Sequence, residues 1–390
     1  MSRSPAAPPH DQHQSSSQAI GERVRQAREA LGLTQREVAE AVDLPAAQTL
    51  SEIEHGRREV RPAELVRIAR FLHTSVDILL GIEQPPAAAG VLWRRTTQGA
   101  NRRREAQLQE RAERYAQLER WCGEEPPKTL KQYSFDFANQ TPEGAAELAD
   151  EVRKSMDLGS IPSATLLRTL EETYGVKVFW DYLTQESDGD CSAACTRGEF
   201  GCAILLDASE PAWRRNFSLA HELFHLLTWE VSIGFAEDNG PRHLSDRVET
   251  YADRFAGALL LPEESISERF RARARDGRIT YGELVRMARD FGVSTTALLI
   301  RLRELQHISS AIVDRLLSDR KFREVDEKSW PAPEHLSVPF SPRYVKLAYA
   351  AFQQGTIGVS MLAKYLEKPI ADLELPETIE DAAEAAIPPV

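Results

Sequence analysis

Apolar positions are irregular before residue 20 and periodic after it. Residues 1–19 are rich in Pro, Ser, His and Gln, which predicts a disordered leader. From Ile20 the chain breaks into short amphipathic stretches separated by turn signals: 22–31, closed by Gly32; 35–42, opened by Thr34 with Glu37 at capping-box spacing; 46–55, stopped by Gly56; then 62–72 and 76–80. Five short helices in so brief a span predict one small bundle over 20–83. Its second and third helices have the lengths and tight joint of a helix-turn-helix, whose second helix lies in the DNA major groove. Residues 84–90 read as a hinge, and 91–122 has the composition of a long helix within a connecting region that runs to 141.

A second folded region is predicted over 142–305. Amphipathic helices are expected at 142–156 and 162–174. The β-rich run 176–180 and the apolar run 202–207 predict strands of a small sheet. The stretch 217–227 repeats its apolar residues at helical spacing, as does 248–256, and three further helices follow at 265–275, 280–291 and 294–305. Residues 306–371 add a C-terminal helical region, and 372–390 reads as an acidic disordered tail. The expected class is mainly α with a small β-sheet (α+β).

Composition narrows the setting. The chain has 390 residues, 42% hydrophobic and 28% charged, with no apolar run long enough to span a membrane and no signal-peptide build at the N-terminus, so a cytoplasmic protein is expected. Four cysteines make no disulfide framework. The net charge of -12 gives no general case for nucleic-acid binding, so any such surface must be local. Even 20–83 carries nine arginines and no lysine against eleven carboxylates. By contrast, 91–122 has eight arginines against four glutamates, with Arg102, Arg103 and Arg104 in a row. That cluster suits either a solvated connecting helix or a contact with single-stranded DNA.

The chemistry concentrates in 217–227. His221 and His225, four apart on a helix, project side by side and can grip one metal ion. Glu222 leans to the same side, where it can take a proton from a metal-bound water, which is the pattern of a zinc peptidase. Zinc needs a third protein ligand. Glu249 and Asp253, also four apart, offer one carboxylate as ligand and a second able to orient a ligand histidine from behind. A third histidine at 231 would extend the motif differently, but Val231 stands there.

Two resemblances follow from these residues. Gly32-Leu33-Thr34-Gln35, Val38-Ala39, Leu50 to Arg57 and Leu79-Leu80 resemble the phage-repressor (XRE, Cro-like) class of DNA-binding domains. This resemblance implies that Gln35 touches phosphate and that the start of the third helix reads bases. Pro45, Ala46 and Ala47 depart from that pattern and leave Gln48, Thr49 and Ser51 as hydrogen-bonding candidates, with Arg57 and Arg58 in a local basic patch. Arg214 to Leu226 and Glu249 to Pro262 resemble the ImmA/IrrE metallopeptidases. That resemblance implies a gluzincin-like domain holding one Zn2+ through His221, His225 and Glu249, with Glu222 as base and Asp253 behind a ligand. His243 is a further candidate, as ligand or transition-state stabiliser. The ImmA/IrrE resemblance also implies cleavage of a helix-turn-helix repressor to release stress, mobile-element or phage-defence genes; single-stranded DNA is a candidate activator through the arginine cluster. The alternative is a transcription regulator whose peptidase-like domain senses a ligand or partner without cutting. Paired half-sites would suit a homodimer. Two expectations concern the approach to the metal. Residues 201–207 are the candidate edge strand for pairing with substrate backbone. Cys191 or Cys195, on the loop before it, is a candidate inhibitory thiol that swings onto the zinc.

Overall fold

The computed structural model describes residues 9–84, 90–94, 101–183, 192–232, 246–274, 278–329 and 339–373. They fall into two compact units, one drawn from Met1–Ala88 and Gln98–Arg111, the other from Ala89–Thr97 and Ala112–Val390.

The first unit holds α1 (Pro9–Ala30), α2 (Gln35–Ala41), α3 (Ala47–Glu54), α4 (Pro62–Phe71) and α5 (Val76–Leu80). One apolar residue or more from each closes the core: Val24, Val38, Leu50, Ile53, Ile68 and Leu79 are at most 1% exposed. The capping box forms as its spacing predicts. The Glu37 amide donates to Thr34 Oγ1 at 3.2 Å and the Thr34 amide donates to Glu37 Oε2 at 2.7 Å. Gly21 lets α1 press onto α3, because a Cβ there would stand 2.1 Å from the Ile53 carbonyl oxygen. Buried Glu54 joins three helices: Arg28 Nε donates to Oε1 at 2.7 Å, Arg28 Nη2 to Oε2 at 3.1 Å, and Gln35 Nε2 to Oε2 at 2.7 Å. The helix begins well before the expected end of the leader. Once 20–30 is held by the core, each added residue gains a hydrogen bond without a new nucleation cost.

The second unit is built on a four-stranded mixed sheet of β1 (Val91–Arg94), β2 (Lys177–Asp181), β3 (Ala193–Gly198) and β4 (Gly201–Asp207), in the order β1-β3-β4-β2. β3 and β4 form an antiparallel hairpin, β1 is antiparallel to β3, and β2 is parallel to β4. Two expectations change here. Residues 91–94 are strand rather than helix, and the helix α6 (Asn101–Cys122) starts after them. The run 201–207 is interior, with a neighbour on each side, so it is not an edge.

Leu92, Cys195, Ile204 and Val178 share the sheet face that packs on α7 (Pro142–Ser155), α8 (Ala212–Leu227) and α9 (Asp246–Leu260). On the other face Phe179 meets Tyr115 of α6, Phe340, and Tyr344 of a later helix, Pro342–Gln353. Beside these rings lies a buried polar network. Tyr115 Oη donates to Glu171 at 3.1 Å, and Lys177 and Arg343 both pair with Glu119, at 2.9 and 2.5 Å. Burial pushes the Glu171 carboxyl up to about 7, against the pull of its hydrogen bonds with Ser341 and Tyr115. The stretch expected as one helix over 162–174 is broken into a 3₁₀ turn, one α turn and a π turn. No helix among the described residues is long and apolar enough to cross a membrane.

Candidate metal centre

α8 starts after Pro211, and its first turn is tied down by Glu210: Arg214 pairs with that carboxylate at 2.7 Å and Ser218 Oγ donates to it at 3.1 Å. From Ser218 to Leu227 every residue is buried. Such a helix is held from all sides, so two imidazoles on it have few rotamers open to them. α9 supplies the facing wall. Ala252 and Ala256 leave room for close helix packing, Phe255 meets Phe224 at 5.4 Å between ring centres, and Tyr251 Oη donates to the Gln140 carbonyl at 2.6 Å.

The two helices bring the predicted donors together. His221 Nε2 and His225 Nε2 are 3.2 Å apart. Glu249 Oε2 is 3.3 Å from the first, and Glu249 Oε1 is 3.6 Å from the second. Donors about 2.1 Å from a tetrahedral ion stand about 3.4 Å from one another, so these three side chains are spaced as ligands. His221, His225 and Glu249 are the one such donor group found among the described residues. Asp253 meets the other nitrogen of His221, with Nδ1 to Oδ1 at 2.8 Å. The spacing Glu249/Asp253 therefore resolves into two roles: the glutamate faces the Nε2 atoms and the aspartate stands behind.

Electrostatics distinguish the two glutamates. Burial pushes the Glu222 carboxyl up, although His225 and His221 oppose it. Apart from the Cys195 thiol beside it, neither of its oxygens has a hydrogen-bond partner among the described residues. Burial also acts on Glu249, but the two imidazoles outweigh it and hold that carboxyl well below the usual range. Buried polar atoms left unpaired in this way are costly, and they suit a site completed by an ion and a water. The Glu222 oxygens and Glu249 Oε1 are of this kind, while His225 Nδ1 is unpaired on the far side of its ring from the other two donors.

The remaining predicted residues divide. Cys195 is in mid-strand on β3 rather than on a loop. It lies against Glu222, and burial, then that carboxylate, pushes its thiol well up. The expected place on a mobile loop is thus replaced by a fixed position in the sheet, which gives this side chain no swing of its own. Cys191 and His243 lie outside the described residues. In the first unit Gln35 donates inward to Glu54, and Arg58 makes two bonds to Glu64, at 2.8 and 3.1 Å. Gln48 and Arg57 are exposed, while Thr49 and Ser51 are half-buried on α3. Arg103 stacks over Phe71 at 4.8 Å, which fixes part of the arginine cluster to this unit. Sequence reasoning missed Cys195's place beside the carboxylate and missed β1 altogether. The β-rich Val91-Leu92-Trp93 was the available signal for the strand.

With this geometry in place, family comparison gives two matches. Residues 172–303 match the family described as the IrrE N-terminal-like domain, a peptidase family, and residues 24–79 match one described as helix-turn-helix. The chain joins an XRE-type helix-turn-helix domain to an IrrE N-terminal-like peptidase domain. That is the ImmA/IrrE architecture. No curated protein matches the chain. The peptidase-domain match spans β2, β3, β4 and both donor helices; β1 lies outside it. The pairing makes the protein a regulator with a protease-like domain, and it supports binding of DNA by one domain and of a protein by the other.

Proposed function

We propose that this is a regulatory zinc endopeptidase that cuts a helix-turn-helix repressor and so releases the genes under that repressor's control. One observation carries the reading. Two imidazoles and a carboxylate converge at ligand spacing, beside a buried carboxylate whose polar neighbour outside the histidines and Glu249 is a thiol.

His221, His225 and Glu249 would hold the ion. Zinc bound by three side chains keeps a position for water, lowers that water's pKa to roughly 7 and polarises the scissile carbonyl. The chain's own groups do the rest. Asp253 accepts from His221 Nδ1, which leaves the Nε2 lone pair facing the ion site. Glu222 takes the water's proton and hands it to the leaving amine. Its raised pKa fits a carboxyl that must keep a proton between those two events. The helix-turn-helix domain would bring the enzyme to DNA through the first turns of α3, where Gln48 and Thr49 stand.

The test is incubation of zinc-loaded protein with the repressor encoded beside its gene, with and without single-stranded DNA, in parallel with Glu222→Gln. A fragment that requires Glu222 is expected. Its absence in every condition, including from the strand-displaced variants below, would leave a regulator that does not cut.

A further inference from the structure

β3 is the strand that reaches the reactive site. Cys195 at its middle lies against Glu222, on the sheet face that packs on the two donor helices. Paired strands run about 5 Å apart, so whatever pairs with the outer side of β3 passes alongside the catalytic carboxylate. β4 takes the inner side, with Ile204 opposite Cys195. The outer side is taken by β1, antiparallel, with Leu92 opposite Cys195 and Arg94 opposite Ala193.

The origin of β1 sets it apart from the other strands. β2, β3 and β4 come from one continuous stretch that lies within the peptidase-family match, 172–303, and among those three β3 and β2 are the edges, β3 being the one on which β1 pairs. β1 comes from the segment between the helix-turn-helix match and α6. It is seated rather than draped: Val91 and Leu92 are each 1% exposed, and Thr196 Oγ1 donates to the Gly90 carbonyl at 2.7 Å. An extended peptide laid antiparallel on a sheet edge, held by main-chain bonds with alternate side chains in pockets, is how β-augmentation captures a ligand.

We infer that Val91–Arg94 occupies the β3 edge on which a peptide substrate would pair, as an internal competitor that must leave before another chain can be cut. This rests on the peptidase reading. It also defines the ligand class: an extended segment with an aliphatic side chain at the place of Leu92. The rival arrangement, with β1 a permanent strand and substrate paired on its far side, predicts the opposite response to its removal.

Two variants release the strand by different means. Leu92→Pro breaks the extended pairing, and Thr196→Val removes the anchor to Gly90 while keeping a β-branched residue in β3. Hydrogen exchange on the zinc-loaded full chain should show 91–94 exposed in Leu92→Pro and about fivefold less protected in Thr196→Val, with 201–207 still protected in both. In a Glu222→Gln background, a fluorescein-labelled synthetic peptide of residues 88–97 should bind the Leu92→Pro chain by anisotropy and not the parent strand arrangement. With Glu222 intact, repressor cutting should rise, on the order of fivefold for Thr196→Val from one lost hydrogen bond, and the same peptide added in excess should suppress the gain. Release of 91–94 without peptide binding overturns the inference, as does a fall in cutting when the strand is freed. Peptide binding without Glu222-dependent cutting in any chain would instead uphold the edge assignment and remove the peptidase reading.

Discussion

Glu249 and Asp253 sit one helical turn apart on α9, yet the geometry gives them different work, and their alanine variants should separate cleanly. Glu249 places both oxygens at 3.3 and 3.6 Å from the imidazole Nε2 atoms, so Glu249→Ala removes a ligand and should abolish stoichiometric metal. Asp253 meets His221 at Nδ1, at 2.8 Å, on the side of the ring away from Nε2. Groups that orient a ligand in this way cost about 10- to 100-fold in metal affinity when removed, equivalent to about 1.4 to 2.8 kcal/mol. Asp253 keeps 48% of its side chain exposed, and solvent screening moves the expectation to the low end. We therefore expect about tenfold weaker zinc binding for Asp253→Ala and a smaller loss for Asp253→Asn, which retains an acceptor without the charge. Competition against a chromophoric chelator at fixed pH measures each dissociation constant, and melting of the metal-free proteins reports any general damage. Equal affinity in Asp253→Ala and parent would refute the orienting role. Retention of one tightly bound zinc by Glu249→Ala would refute the ligand assignment itself.

Three further outcomes follow from the same structure. Glu222→Gln should bind zinc as the parent does and lose at least about 100-fold in turnover, checked by metal content beside repressor cleavage; equal loss of both would make it a structural residue. Glu171 has a folded pKa of about 7 against an ordinary 4.5, so the folded state holds its proton more tightly. Its contribution is fully present below pH 4.5 and is lost, by about 3 kcal/mol, as pH rises to 7. Glu171→Gln should remove that slope, and denaturant melts at pH 4.5 and 7.5 whose difference matches the parent's would contradict the assignment. Glu54→Ala strands Arg28 and Gln35 without their shared acceptor, at a cost of about 3 kcal/mol, the low end for a broken buried pair because Arg28 is partly exposed. Exchange protection should fall in α1 to α5 while β2 to β4 keep theirs.

What could be read in advance was whatever the chain encodes within one or two helical turns. The histidine pair, the Glu249/Asp253 pair and the Thr34/Glu37 cap are each fixed by a spacing of three or four, and each is found as that spacing requires. Strand order is a different matter, because it is decided by partners far along the chain. Leu92 becomes strand only by meeting Cys195, and its neighbours, a Pro/Ala/Gly hinge and an arginine-rich helix, carry no hint of that meeting. Ala193-Ala194-Cys195 has small side chains of weak β preference and is extended because it lies between two other strands.

The misplacement of 201–207 at an edge was avoidable. Ala203 to Leu206 is an unbroken apolar run, and the structure buries all four, as a strand covered on both faces requires; an edge strand facing water on one side would have alternated. The same rule applied to β3 gives a strand with small or polar residues, Ala194 and Thr196, on the face away from the metal helices. Apart from the Thr196 hydroxyl, a strand of that composition offers a neighbour mainly main-chain bonds, which another extended segment with an aliphatic residue at the place of Leu92 can also supply. That is the physical basis on which β1 and a foreign segment are interchangeable at this edge, and it is why displacement of four residues should be enough to open the site.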